Sequence, residues 1–359
     1  MQMKERDYSL DVIRIIAICL VVFRHSSSSL SNNKAQVITN TVGTLGVPLF
    51  VMLTGYLMVD REYDSSYIQR FLVRNLLPLF VSLEAWNILN FLHDKIAGIN
   101  EISFGRMMRI AFFVGPTNSA FWFLPMILGI YLGIPIISIA IHQLYRQNSH
   151  LYIYLLTVLI LFFGTVVPTA GQIFQLFFHG EELEGVINMN LFGTDVWGAS
   201  CWILYLLAGL TIKKINSKHF VGRRNILWPS FSFIVSLALL IIFNLSLIKM
   251  GQQWSPAYSN IFEVTAAISL FVLMNRIHLS RLNKQTIIKY IVYTSQLSFS
   301  VYIIHIWILQ FVQPLWKNSV GNGILAFLGS FIIAYLGSLI VGWILSKIRF
   351  VRKWLLLMK

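Results

Sequence analysis

The 359-residue chain is 57% hydrophobic and 12% charged, with a mean hydropathy of +0.70 and a net charge of +14. A soluble domain carries about 25% charged residues, so the composition excludes an ordinary soluble fold and places the chain in the membrane class. Its two cysteines, Cys19 and Cys201, lie in apolar stretches and define neither a disulfide framework nor a zinc pattern.

Apolar segments of about 20 residues fall at 10–30, 43–59, 75–92, 120–143, 151–168, 196–212, 226–248, 257–275, 290–313 and 323–346. The expectation is an all-α membrane bundle of about ten transmembrane helices, forming one domain over residues 1–359. The first segment lacks an A-x-A-like cleavage site and is read as a retained helix. Phe104 to Thr117 carries arginines and a Gly-Pro break, and is expected to lie in the interface or re-enter the membrane.

Orientation follows from Lys and Arg in the short loops. Arg61, Arg70, Arg74, Arg146, Lys213, Lys214, Arg349, Arg352 and Lys353 all fall on one side if the N-terminus is cytoplasmic, which puts the C-terminus there too. The positive charge then lies against anionic headgroups and needs no nucleic-acid partner. The longest outer loop, 169–195, is instead acidic, with Glu181, Glu182, Glu184 and Asp195.

The opening segment LDVIRIIAICLVVFRH carries Asp11, Arg14, Arg24 and His25 in an otherwise apolar run. Eleven residues make almost three helical turns, so Arg14 and His25 share a face roughly 16 Å apart along the axis. Asp11 and Arg14 are three apart, close enough to pair. Ionisable residues inside a spanning helix mark a functional site by default, although Asp11 and Arg14 also satisfy a snorkelling arrangement at the interface.

GTLGVPLFVMLTGYLM follows, from Gly43 to Met58. Its glycines suit close helix packing, and Thr54 adds a hydroxyl within the bundle. Arg70 and Arg74, one turn apart, suit a phosphate-bearing ligand or lipid headgroups equally. Glu84 lies deep in the next apolar helix, and Glu263 raises the same problem later. Each carboxylate must be paired, protonated or exposed to a cavity. Trp122 in SAFWFLPMILG stands at the outer interface or against a pocket. In SFSVYIIHIW, Ser298, Tyr302 and His305 fall on one helical face, which must look into the bundle. No metal-ligand spacing, GxSxG elbow, phosphate loop or dinucleotide fingerprint is present.

Taken in order, LDVIRIIA with His25, then GVPLFVMLTGYL, then Arg70 and Arg74 before Pro78, FWFL at 121–124 and SFSVYIIH ending at His305 resemble the acyltransferase-3 family of bacterial membrane enzymes. The likeness runs along nearly the whole chain. Two departures stand out: Thr54 replaces the usual serine before the glycine, and the arginine pair is one residue further apart than usual.

The resemblance implies transfer of an acyl group, most simply acetyl from cytoplasmic acetyl-CoA, to a hydroxyl of a cell-surface or exported carbohydrate, without a metal. His25, Arg14, Asp11 and Glu84 are then the catalytic candidates, with His25 as general base or as covalent acyl carrier. Arg14, Arg70 and Arg74 would hold the donor, and Thr54, Trp122, Tyr302 and His305 would line the acceptor's site. By physics alone, a multispanning exporter of a glycan or lipid-linked substrate fits the same charged helices.

Overall fold

Without water to satisfy backbone groups, a lipid-facing segment closes its hydrogen bonds within itself, and the helix does so. The computed structural model describes residues 6–96, 104–111, 120–177, 197–217, 226–251, 254–256, 258–276 and 285–358. Among them the regular elements are all helical. In order they are α1 (Tyr8–His25), α2 (Asn33–Thr44), α3 (Gly46–Thr54), α4 (Ser65–Phe71), α5 (Leu77–Ile96), α6 (Phe104–Ala111), α7 (Phe123–Arg146) and α8 (His150–Leu161). They continue with α9 (Val167–Phe177), α10 (Trp197–Ser217), α11 (Leu227–Lys249), α12 (Ile261–Asn275), α13 (Gln285–Gln296), α14 (Ser298–Ser319) and α15 (Ile324–Leu345).

Wider π-helical turns join several neighbours into longer rods: Gly55–Val59 extends α3, and Leu72–Leu76 joins α4 to α5. Among the described residues, seven helices are long and apolar enough to span a bilayer: Asn33–Val59, Ser65–Ile96, Phe123–Arg146, Leu151–Phe174, Leu227–Lys249, Ser298–Ser319 and Ile324–Leu345. Three of the ten expected spans are helices but fall outside that count. α1 carries Asp11, Arg14 and Arg24 within its 18 residues, and α12 has only 15 residues, about 22 Å of rise. The third is α10, which ends on a basic turn containing Lys214. The acidic loop lies largely outside the described residues, and so does the second half of the Phe104–Thr117 segment, whose first half is α6.

α1 starts where Asp7 caps it, accepting a hydrogen bond from the Ser9 N–H. It packs against α2, α3, α12, α13, α14 and α15, and buries Ile13, Ala17, Ile18 and Val22 almost completely. The helix with the most intramembrane charge is therefore the most surrounded. α3 and α10 touch backbone to backbone. A Cβ on Gly55 would overlap the Leu206 carbonyl, and one on Gly209 the Met52 carbonyl, so only glycine permits the approach.

Beyond α15 the chain forms a π-helical turn over Val351–Leu355 and folds back on α5. Ser82 Oγ and Trp86 Nε1 both donate to the Leu355 carbonyl, at 2.9 and 3.0 Å. Leu356 and Met358 are buried beneath this turn.

At the same end of the bundle, Asp60 after α3 bonds Lys213 and Lys214 of α10 at 3.2 and 3.4 Å. Burial raises the pKa of this carboxyl, but the two ammoniums prevail and hold it below the usual carboxylate range. A depressed folded-state pKa gives stability that is present above the unfolded value, about 3.9, and disappears as pH falls through the folded one. Asp60→Asn should therefore cost about 0.5–1 kcal/mol at pH 7. Thermal melts in detergent should show wild type and variant converging near pH 3 or below, whereas a gap that persists there would rule out the ion pair as its source.

Candidate active site

A cavity of about 1060 Å³ opens at the end of the bundle where the C-terminal turn folds back. Arg74, Arg349, Arg352 and Lys353 stand around its mouth, and Arg14 lines it deeper, on α1. Among the described lining residues there are five cations and no carboxylate. The middle wall is polar, with Thr54, Tyr131, Ser295 and Ser298; the far end is aromatic, with Phe50, Phe123, Phe299 and Tyr302. Within that wall the Tyr131 hydroxyl bonds Thr54 and lies beside Arg14. The cavity suits a ligand with a polyanionic head and a long, largely uncharged tail.

Arg14 has no ion pair among the described residues. The expected Asp11–Arg14 pair does not form, because two stronger partners reach Asp11 first. Arg6 grips the carboxylate with Nε at 2.9 Å and Nη2 at 2.8 Å, and Ser295 Oγ donates to it at 2.7 Å. Asp11 thus fastens the start of α1 to the end of α13. A half-buried guanidinium without a carboxylate in a cavity wall is a site for an anion that enters from outside.

Tyr302 closes the inner end of the cavity, its hydroxyl donating to the Ala120 carbonyl and its ring packed by Phe121, Phe123 and Phe299. One turn further along α14 stands His305, its ring centroid 6.2 Å from that of Tyr302. The His305 ring lies 5.3 Å from the ring of His25 at the end of α1. Tyr302, His305 and His25 thus form a row leading away from the cavity. His305 is fully buried; its Nδ1 donates to the Val301 carbonyl at 2.9 Å, which leaves the Nε2 lone pair without a partner. Asp11 with Ser295, His25 with His305, and the His25 carbonyl with Gln313 Nε2 at 3.2 Å fix α1 and α14 in parallel register.

His25 does not itself line the cavity, nor does His305. Arg14, Arg74, Thr54 and Tyr302 do, so four of the ten candidates read from sequence share one wall. Arg70 turns away instead. Its guanidinium bonds the carbonyl and hydroxyl of Ser66 at 3.2 and 3.0 Å and lies over the Tyr67 ring. The π-helical turn Leu72–Leu76 starts just after Arg70 and contains Arg74, and it changes the helical phase, so a spacing of four no longer guarantees a shared face. Glu84 stands outside the cavity, with Oε1 buried and unpartnered.

A second polar group lies beyond His25, near the opposite end of α1. Arg24 donates from Nη1 to the Tyr258 hydroxyl at 3.0 Å and lies over the Trp254 ring, 5.1 Å from its centroid. Trp122 belongs here, 5.8 Å from Trp202 and 5.5 Å from Tyr258 between ring centroids. Glu263, 1% exposed, neighbours Arg24 and the Thr44 hydroxyl. Sequence alone does not assign Glu263 its partner among Arg14, Arg24 and His25, nor does it single out Trp202, Trp254 or Tyr258, because nothing local links residues so far apart in the chain. Among the described residues no three His, Cys, Asp or Glu side chains cluster as metal ligands.

These features define a multi-pass helical membrane protein with a cation-lined cavity and, behind Tyr302 at its inner end, two neighbouring histidines, of which His305 is fully buried. The chain belongs to the acyltransferase-3 family: the family model, described as an acyltransferase domain, matches residues 7–347. No curated protein and no solved structure shows a significant match to it. Membership supports an acyltransferase role, and Arg14, His25, Thr54, Arg74, Trp122, Tyr302 and His305 all fall within the matched range.

Proposed function

We propose that the protein transfers an acetyl group from cytoplasmic acetyl-CoA to a hydroxyl of a cell-surface or exported carbohydrate, working as a single domain in the bacterial inner membrane with both termini in the cytoplasm. The observation that carries this reading is the cavity with what lies behind it: five cations and no described carboxylate in its lining, Tyr302 at its inner end, and His305 and His25 in sequence behind Tyr302. The donor's phosphates belong at the cationic mouth and its pantetheine arm along the neutral wall. The thioester then reaches the histidine pair past Tyr302.

Transfer needs a base for the acceptor's proton and donors for the developing oxyanion. His25 takes the hydroxyl proton as the oxygen attacks the thioester carbonyl, and the imidazolium returns it to the departing thiolate. Imidazole suits both steps, since its unperturbed pKa is about 6.5. The His305 ring, 5.3 Å from that of His25 and with its Nε2 unpartnered, supports that proton movement. Arg14, some 16 Å down the helix from His25, serves the donor's anionic part rather than the reacting carbonyl.

On the acceptor side, the rings of Trp122, Trp202 and Tyr258 with Arg24 and Glu263 offer the stacking faces and polar groups that sugars use. Trp122→Ala should raise the acceptor KM about ten-fold, by removing one large contact surface, with the KM for acetyl-CoA unchanged. Equal effects on both substrates would move Trp122 out of the acceptor site.

Mass spectrometry of surface glycans from cells with and without the protein tests the reaction. Loss of the mass of one acetyl group per modified sugar is expected in its absence. Unchanged acetylation together with altered glycan export would favour the exporter reading, which the family membership otherwise weakens.

A further inference from the structure

We propose that the C-terminal segment Arg349–Met358 is a clamp for the donor's phosphates, with Arg349, Arg352 and Lys353 facing Arg74 across the cavity mouth. The clamp would select a CoA thioester, which carries a pyrophosphate and a 3′-phosphate, over acyl donors built on a single phosphodiester. This rests on the acyl-CoA reading above and names the groups that enforce it.

The segment lies beyond residues 7–347, the part of the chain that the family accounts for. It is nevertheless built into the cavity wall: Arg349, Arg352, Lys353, Trp354, Leu356, Leu357 and Met358 all line it. The turn is held from below by the two hydrogen bonds from Ser82 and Trp86 to the Leu355 carbonyl and by burial of Leu356 and Met358. A frayed terminus would have no such anchors. The cationic residues themselves are exposed at the mouth, so they pay little desolvation before a ligand arrives.

Charge matching favours CoA. A phosphomonoester carries about −1.5 to −2 at neutral pH, and the pyrophosphate adds two further negative charges. Four cations around the mouth meet that total, and three of them are guanidinium forks that bind phosphate oxygens in pairs. A single phosphodiester brings only one negative charge to the same four side chains. Anionic lipid headgroups offer the same phosphate chemistry, and the test separates the two sources.

Purified full-length protein in phosphatidylcholine nanodiscs should bind labelled acetyl-CoA, competed by CoA about ten-fold or more better than by 3′-dephospho-CoA, one charge-assisted contact being worth that factor. This comparison needs no variant. Joint replacement Arg349→Ala, Arg352→Ala and Lys353→Ala should weaken CoA by about ten- to a hundred-fold and erase its advantage over 3′-dephospho-CoA. Competition by pantetheine, which has no phosphate, should not change. Arg349→Lys with Arg352→Lys should restore most of the affinity, because charge is kept and only the fork geometry is lost.

Wild type that binds acetyl-CoA but does not distinguish CoA from its 3′-dephospho form overturns the clamp and leaves the transferase reading in place. So does unchanged CoA affinity in the neutralised protein. If neutralisation instead strips bound phosphatidylglycerol from mixed nanodiscs while CoA affinity holds, the cations serve lipid and the clamp is wrong. Wild type that binds no acetyl-CoA removes the donor reading and the clamp together.

Discussion

His25→Ala should lower acetyl transfer by about a hundred- to ten-thousand-fold, the range for removing a positioned general base. The protein should remain folded, because two contacts that tether this end of α1 survive: Gln313 Nε2 donates to the His25 carbonyl, which alanine retains, and Arg24 still donates to the Tyr258 hydroxyl. Packing along α1 comes from Ile13, Ala17, Ile18 and Val22, all three or more residues earlier. Acetyl-CoA affinity should hardly move, since the cations that bind the donor stand at the other end of the cavity. A purified variant with wild-type turnover would dismiss His25 from the chemistry. Rapid quenching of wild type with labelled acetyl-CoA separates the two roles open to the imidazole. Label recovered on the His25 peptide would make it an acyl carrier, whereas base catalysis leaves none.

Arg14→Lys should act on the other substrate. It should raise the KM for acetyl-CoA about ten-fold with little change in kcat, because a lysine keeps the charge but loses the fork that binds phosphate oxygens bidentately. Arg14→Ala should cost more, since no cation would then remain in the deeper wall. Because Asp11 is already engaged by Arg6 and Ser295, neither change frees a buried carboxylate, so the effect on folding should be small. An unaltered KM in both variants would make Arg14 a structural residue that merely faces the cavity.

An α-helix repeats every 3.6 residues, so eleven positions bring Arg14 and His25 to one stripe of α1, but only Arg14 lines the cavity. The same rule placed Tyr302 and His305 on one face of α14. It failed at Arg70. A π-helical turn, which no apolar pattern announces, begins after Arg70 and takes in Arg74, and only Arg74 reaches the cavity. The Asp11–Arg14 pair failed for a different reason: sequence spacing ranks only local partners, and the partners that won include Ser295, 284 residues away.

The basic C-terminus illustrates the same limit from the other side. Arg349, Arg352 and Lys353 read as topological charge, because loops on one face of a membrane protein are basic whatever they bind. Only the fold-back onto Ser82 and Trp86 turns that charge toward a cavity.

The sequence by itself determined the solvent of this protein, its helical class and the side chains too costly to bury without purpose, since composition and period follow from local chemistry. Tertiary structure alone decided which of those side chains meet. Placing His25 beside His305, or Arg74 and Arg349 on one cavity, depends on helix register and on how α1, α5, α14 and the C-terminal turn pack, and these are set by contacts between residues hundreds of positions apart.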